Sequence, residues 1–255
     1  MSQEIISKIV WLIGASNGIG LELAKLYLAN GDRVIITARN TSTSDALKLL
    51  KEKFQKNLHL LDMDVTKTQS VIDSTQIAWN LYGGLDLCVY NAGVYESMRV
   101  NEWNLEHFEA MNQVNFMGAI RVLTQIIPLF EEQKQGHIAF NASVSSFFGL
   151  PNGGGYSAPK AGLINFCESI KPELDTKNIK VQVINHGFVK TRLTAKNDFD
   201  MPQLLEPEVA AQKIYEGLKD SSNFEIKFPW AISRFLHFLR VIPYKMAFSL
   251  TKKAL

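Results

Sequence analysis

Lys8-Ile9-Val10-Trp11-Leu12-Ile13-Gly14 runs directly into Ala15-Ser16-Asn17-Gly18-Ile19-Gly20, and then into Leu21-Glu22-Leu23-Ala24-Lys25-Leu26. The first piece is an unbroken apolar run, as expected of a strand buried on both faces. The last carries its apolar residues at helical spacing. Between them three glycines fall in the order G-x-x-x-G-x-G. Such a turn lets the backbone approach a pair of phosphates, and the helix N-terminus offers free N–H groups and a positive dipole end. Taken alone a glycine turn is a weak signal, and its place directly after the first strand gives it weight. Gly14, Ser16, Asn17, Gly18, Ile19 and Gly20 are therefore candidate contacts to a dinucleotide.

The same alternation continues along the chain. Strands are expected at 8–14, 33–38, 58–61, 85–90, 136–141, 180–185 and near 224–228. Helical patterns lie between them at 19–30, 44–56, 68–82, 105–132, 157–176 and 208–219. The strands are rich in Ile and Val and alternate little, so right-handed β-α-β units and a doubly wound parallel sheet are predicted. No repeat, low-complexity tract or linker interrupts the pattern. The chain reads as one α/β domain over 1–228 followed by a tail over 229–255.

Composition fits that reading. The chain has 255 residues and is 46% hydrophobic, enough for one large packed domain. Cys88 and Cys167 sit in apolar contexts and read as reduced core residues of a cytoplasmic protein. The opening residues carry no basic segment and too short an apolar run for a secretory signal, so export is not expected. The five histidines, His59, His107, His137, His186 and His237, show no ligand spacing, and no metal is expected.

The second strand ends Thr37-Ala38-Arg39. An acidic residue there would bind ribose hydroxyls and repel a 2′-phosphate, whereas an arginine forks onto phosphate and stacks on adenine. NADP(H) is thus favoured, with NAD(H) as the alternative and a merely solvated arginine as the bland one. Asp64, after the third strand, is read equally as an acceptor for an adenine amino group or as a turn aspartate.

Tyr156 and Lys160 are four residues apart, on one face of a helix. A free phenol has a pKa near ~10 and is a poor base at neutral pH. A cation ~4–5 Å away is worth roughly 3–4 kcal/mol at an effective dielectric of about 20, or about 2–3 pKa units. The pair is therefore expected to lower the tyrosine pKa. Pro159 is tolerable if the helix begins near Ser157, since first-turn positions need no donor. Gly153-Gly154-Gly155 just before it reads as a loop ending there. Pro172 is expected to kink the same helix. In isolation a Tyr-x-x-x-Lys pair is more often a chance surface pair.

The joint order of the glycine loop, Asn91-Ala92-Gly93, Ser143 and Tyr156/Lys160 resembles the short-chain dehydrogenase/reductase superfamily over roughly 5–228. The resemblance implies a Rossmann-type fold and hydride transfer between a nicotinamide and a carbonyl or secondary alcohol. It implies Tyr156 as acid/base, Lys160 on the nicotinamide ribose and Ser143 on the substrate oxygen. Asn115 would anchor a water relaying protons to Lys160. Asn91, Ala92 and Gly93 would lie on the adenosine side, Val65 beside Asp64 at the adenine, and Val189 and Thr191 at the cofactor. His186 stands where the family carries a proline, which puts the loop beside the nicotinamide in question. Family members are commonly dimers or tetramers, so a homo-oligomer is expected by analogy.

The family's substrate positions here offer Tyr95, Met98, Phe147, Phe148, Leu150 and Leu193, an apolar lining suited to a hydrophobic ketone. The segment 192–205 reads as a lid. From Lys227 onward the chain has six Lys/Arg and no acidic residue, which leaves −4 for the remainder of a chain of net charge +2. Trp230, Phe235, Leu236, Phe238, Leu239 and Val241 alternate there with Arg234, His237 and Arg240, Pro243 breaks the run, and Lys245, Lys252 and Lys253 follow. A basic amphipathic segment too short to span reads either as packing on the domain or on a second copy or, almost equally, as peripheral contact at the inner face of a membrane. Without a recognised module the basic residues do not suggest nucleic-acid binding. A nucleotide-binding regulator on the same fold is the competing reading, separable by Tyr156→Phe. A membrane-recruited lipid-ketone reductase is a narrower form of the enzyme reading, separable by liposome co-sedimentation with and without 229–255.

Overall fold

The computed structural model describes residues 7–252. Residues 1–6, the first part of the segment read for export, and residues 253–255, with Lys253 of the tail, lie outside them. Seven strands form one sheet: β1 Ile9–Ile13, β2 Arg33–Ala38, β3 Leu58–Asp62, β4 Leu87–Tyr90, β5 Gly136–Asn141, β6 Ile179–His186 and β7 Glu225–Phe228. Their order is β3-β2-β1-β4-β5-β6-β7, and every neighbouring pair is parallel. The order reverses between β1 and β4, where a doubly wound sheet opens a crevice at its carboxyl edge.

Period-two alternation sends the residues of β1 to opposite faces. Val10 and Leu12 pack with α1 (Gly18–Ala29), α2 (Asp45–Lys53) and α7 (Pro207–Lys219). Trp11 and Ile13 pack with α3 (Thr68–Asn80), α5 (Gly118–Gln133) and α6 (Gly154–Thr176). Because both faces are covered, the inner strands are apolar on both sides, which explains their continuous Ile/Val runs. The helix α4 (Leu105–Asn112) packs against α6.

Two helices depart from expectation. The segment expected as one helix over 105–132 is broken by a π-turn at Gln113–Met117 between α4 and α5. Its cause is Asn115, wholly buried, whose amide donates to Val94 O and whose Oδ1 accepts from Val94 N, each at 2.9 Å. A side chain drawn to a distant backbone favours the extra residue of a π-turn. The second departure is the start of α6, at Gly154 and not near Ser157, so Pro159 lies beyond the first turn. Gly155 is helical and not part of a loop. A Cβ there would meet Met111 Cε at 2.5 Å, so the glycine serves the close approach of α4 to α6. Pro172 also lies within α6, which continues to Thr176.

The tail forms α8 (Trp230–Val241) and α9 (Tyr244–Thr251). Leu236, Leu239 and Ala247 are buried against Val144 and Phe148, so one side of the tail packs on the domain. No helix among the described residues is long and apolar enough to cross a membrane.

Candidate active site

A cavity of about 740 Å³ opens at the carboxyl edge of the sheet. The glycine loop lines one part of it through Gly14, Ser16, Asn17, Gly18 and Ile19. Gly14 has φ +82°, and a Cβ there would meet Ala92 Cα at 2.5 Å. Gly18 has φ +56°, and a Cβ would come within 3.0 Å of Thr191. Both positions therefore need glycine. Asn17 makes no side-chain cap to α1, so the first N–H groups of that helix remain available for an anion. Gly20 does not line the cavity. It lets α1 close on Ala15 and Asn91, which a Cβ would meet at 2.7 Å.

Arg39, Asp64 and Val65 line the same cavity. Burial raises the Asp64 pKa, but donation from the Thr66 N–H and hydroxyl, with Arg39 and Lys67 nearby, brings it below the usual carboxylate range overall. Asp64 Oδ1 takes both Thr66 bonds, at 2.9 and 2.7 Å, as in the turn reading. Asn91, Ala92, Gly93, Val189 and Thr191 also contribute to the wall.

Tyr156, Ser143 and Lys160 converge on this wall from different elements. Ser143 follows β5, and its Oγ accepts from Ser145 N at 3.2 Å and from Ser145 Oγ at 3.0 Å. Its own hydroxyl hydrogen is then available to donate. Tyr95 stands edge-on to Tyr156, ring centroids 5.2 Å apart. Lys160 is buried and donates to the Asn141 carbonyl. Asn141 Nδ2 donates to Asn91 Oδ1, and Asn91 Nδ2 to Gly14 O, each at 2.6 Å. A continuous polar chain thus ties the lysine to the glycine loop. Sequence reading missed Asn141, whose only signal is its place two residues before Ser143.

The expected lowering of the tyrosine pKa is not found. Burial pushes Tyr156 up to about 12, while the Ser143 hydroxyl draws it down and Tyr95 adds to the rise. The same enclosure pulls Lys160 down to about 7. Its Nζ is 5.8 Å from the Tyr156 ring centroid. Burial thus works against the positive charge on Lys160 that the spacing promised.

His186, in the proline position, lines the cavity. Its Nδ1 is 2.7 Å from Gly187 O, so the neutral ring donates there. Burial holds it down to about 4, with the Gly187 bond opposing and Lys160 reinforcing the shift.

Other expected positions fall differently. Asn115 is not part of the lining and sits behind it, its side chain engaged with Val94. Tyr95, Leu150 and Leu193 line the cavity, whereas Met98, Phe147 and Phe148 do not. Phe148 is buried under the tail, and the Phe147 ring lies 4.0 Å from that of His237. The tail took these two aromatics, and it supplies Ile232 and Leu236 to the lining instead. From 192–205, Arg192, Leu193, Thr194, Asn197, Phe199 and Asp200 face the cavity, and Lys196 pairs with Glu96.

The described residues contain no cluster of three or more potential metal ligands. The glycine cradle and the free N-terminus of α1 fit a nicotinamide dinucleotide.

Residues 8–201 match the family model for short chain dehydrogenase. An uncharacterized oxidoreductase of Myxococcus xanthus is 31% identical over 240 residues, 94% of each chain. An oxidoreductase of Botryotinia fuckeliana is 30% identical over 230 residues, 89% of this chain and 82% of its own. A short-chain dehydrogenase structure from Streptomyces avermitilis superposes with TM-score 0.82 over 97% of both chains, at 22% identity, and supports the fold. The match over residues 8–201 and the relatives at 30–31% identity place the crevice at the strand-order reversal in a known lineage: this chain belongs to the short-chain dehydrogenase/reductase family of oxidoreductases.

Proposed function

We propose that the protein is an NADP(H)-dependent reductase of hydrophobic ketones. The observation that carries this reading is the convergence of Tyr156, Ser143 and Lys160 on one cavity that also holds the glycine loop and Arg39. Arg39, standing where an acidic residue would repel a 2′-phosphate, supports NADP(H) over NAD(H). Leu150, Leu193, Phe199, Ile232 and Leu236 give the substrate end an apolar character, beside which Arg192 and Asp200 also line the cavity.

When bound, the cofactor supplies a hydride to the carbonyl carbon. The Ser143 hydroxyl donates to the carbonyl oxygen and fixes its direction. The Tyr156 O–H, protonated across the neutral range, delivers the proton to that oxygen. Lys160, poised near half-protonation at neutral pH, restores it and holds the ribose. Asn115 holds the Val94 backbone beside Gly93, where its Oδ1 and the Lys160 Nζ lie 3.4 and 3.9 Å from the position a Cβ would take, and it anchors the water that relays protons to Lys160. Asn91, Ala92 and Gly93 carry the adenosine side, with Asp64 and Val65 at the adenine, and Val189 and Thr191 at the nicotinamide end. A cytoplasmic homo-oligomer with peripheral membrane contact through 229–255 completes the proposal, the oligomer by family analogy.

The test is NADPH and NADH consumption over ketones of increasing chain length, with Tyr156→Phe as control. Turnover should rise with chain length, favour NADPH, and fall roughly 10²–10⁴-fold in the variant. Preference for short charged carbonyls or for NADH would refute the substrate or cofactor assignment respectively. Intact turnover in Tyr156→Phe would refute the proton donor.

A further inference from the structure

The helix α8 has two apolar faces, and only one is used by the fold. Ser233, Leu236 and Leu239 face inward and are buried. Trp230, Arg234, Phe238 and Val241 recur at a helical spacing on the opposite side. Trp230 is 70% exposed and Val241 80%. The α9 helix extends the surface with exposed Tyr244, Met246 and Phe248, the rings of Tyr244 and Phe248 stacked at 5.6 Å. Half of the exposed large apolar side chains among the described residues belong to these two helices. A helix lying on a soluble domain ordinarily turns charged and polar residues outward.

The charge on this surface says what covers it. Arg234, Arg240, Lys245 and Lys252 are exposed, and no acidic residue occurs from 226 to the end of the chain. The Arg234 guanidinium lies 4.7 Å over the Trp230 ring. Aromatic and basic residues together on one face match the interfacial layer of an anionic bilayer. Docking the same face on a second copy across a two-fold axis would instead bring like charges together with nothing acidic on the tail to offset them. The helices are too short to span, which leaves them lying in the interface.

The inner side of the same helix is part of the cavity wall through Ile232 and Leu236. We propose that the outer face of α8 and α9 seats the enzyme on an anionic lipid surface, and that the cavity on the other side of this helix draws its hydrophobic carbonyl substrate from that bilayer. The second half rests on the reductase reading above, and the first half does not.

Co-sedimentation of the full chain with phosphatidylcholine vesicles, with and without phosphatidylserine, tests the seat directly. The protein should sediment with the anionic vesicles and less as salt is raised, because screening shortens to ~3 Å at 1 M. Each basic group near such a surface contributes ~1 kcal/mol, or about fivefold, so Arg234→Gln with Arg240→Gln should weaken binding about thirtyfold. Trp230→Ser with Phe238→Ser should also release the protein. None of the four lines the cavity, so NADPH oxidation with a soluble ketone should be unchanged, which shows the variants are folded. With a long-chain ketone carried in anionic vesicles, both pairs should lower turnover.

No sedimentation with anionic vesicles overturns the proposal, as does equal sedimentation of wild type and both variants. A lower particle mass for the variants by size-exclusion chromatography, with no lipid effect, would also overturn it and assign the face to a second copy. Vesicle binding without oxidation of any ketone would keep the seat and remove the reductase reading.

Discussion

Replacing Lys160 by methionine in the cofactor-free protein should change how stability depends on pH. Lys160 is 3% exposed and burial pulls it down to about 7, against an ordinary lysine value of 10.5. Between those two values the unfolded chain carries a proton that the folded chain does not. Stability then rises with pH, at a slope approaching about 1.36 kcal/mol per unit. Allowing for half-protonation at pH 7, the gain from pH 7 to pH 9 is roughly 2 kcal/mol. Lys160→Met has no such gain, so wild-type stability should climb by that amount relative to the variant. Other titrating groups are common to both proteins and cancel in the difference. Tyr156, raised to about 12, opposes the trend only as pH passes its ordinary value of 10.0. Urea unfolding at several pH values reads the effect, and with a slope near 2–3 kcal/mol per molar the midpoints should separate by roughly 1 M. Parallel midpoints from pH 7 to pH 9 would refute the reasoning. Lys160 would then stay charged throughout, and the lowering of the Tyr156 pKa expected from their spacing would have to be restored.

Arg39→Ala should reduce kcat/KM for NADPH by roughly 10–150-fold, the loss of ~1.5–3 kcal/mol of charge-assisted hydrogen bonding, while the NADH value changes little; equal effects on both cofactors would contradict a role at a 2′-phosphate. Gly14→Ala forces a side chain onto φ +82° and into Ala92, so the protein should lose at least about 1–3 kcal/mol, and an unchanged melting temperature would contradict the cradle geometry. His186 is held at about 4, below its ordinary 6.5, so its neutral form contributes stability that is lost as pH falls between those values. Across that window His186→Gln should gain roughly 3 kcal/mol relative to wild type, and parallel acid-unfolding curves would show that the ring is not buried neutral.

What the sequence revealed depended on how local the cause was. The five inner strands were legible because burial on both faces leaves an apolar run that needs no partner to be seen, and the edge strands β3 and β7, less buried, were legible from their place in the strand–helix alternation. The glycine loop was legible because a turn between strand and helix has few chemical solutions. The break at Asn115 was not, since its cause is a pair of bonds to Val94, twenty-one residues away. Gly155 misled for the same reason: a glycine before a helix motif looks like a loop until Met111 and Phe108 are seen against it. Phe147 and Phe148 were assigned to the cavity by position, but α8 folds back and takes them as its own packing surface. The Tyr156–Lys160 spacing located the pair correctly on one helix, yet spacing carries no information about burial, and burial decides their charges.

The central claim is hydride transfer from NADPH to a hydrophobic carbonyl with Tyr156 as proton donor. Its most direct test is incubation of the protein with NADPH deuterated at the transferring position of the nicotinamide and a long-chain ketone, followed by mass analysis of the alcohol. One deuterium at the carbinol carbon, lost in step with turnover in Tyr156→Phe, is the predicted result. Tight NADPH binding with no deuterium in any ketone of the series would contradict the claim and leave a nucleotide-binding protein on this fold.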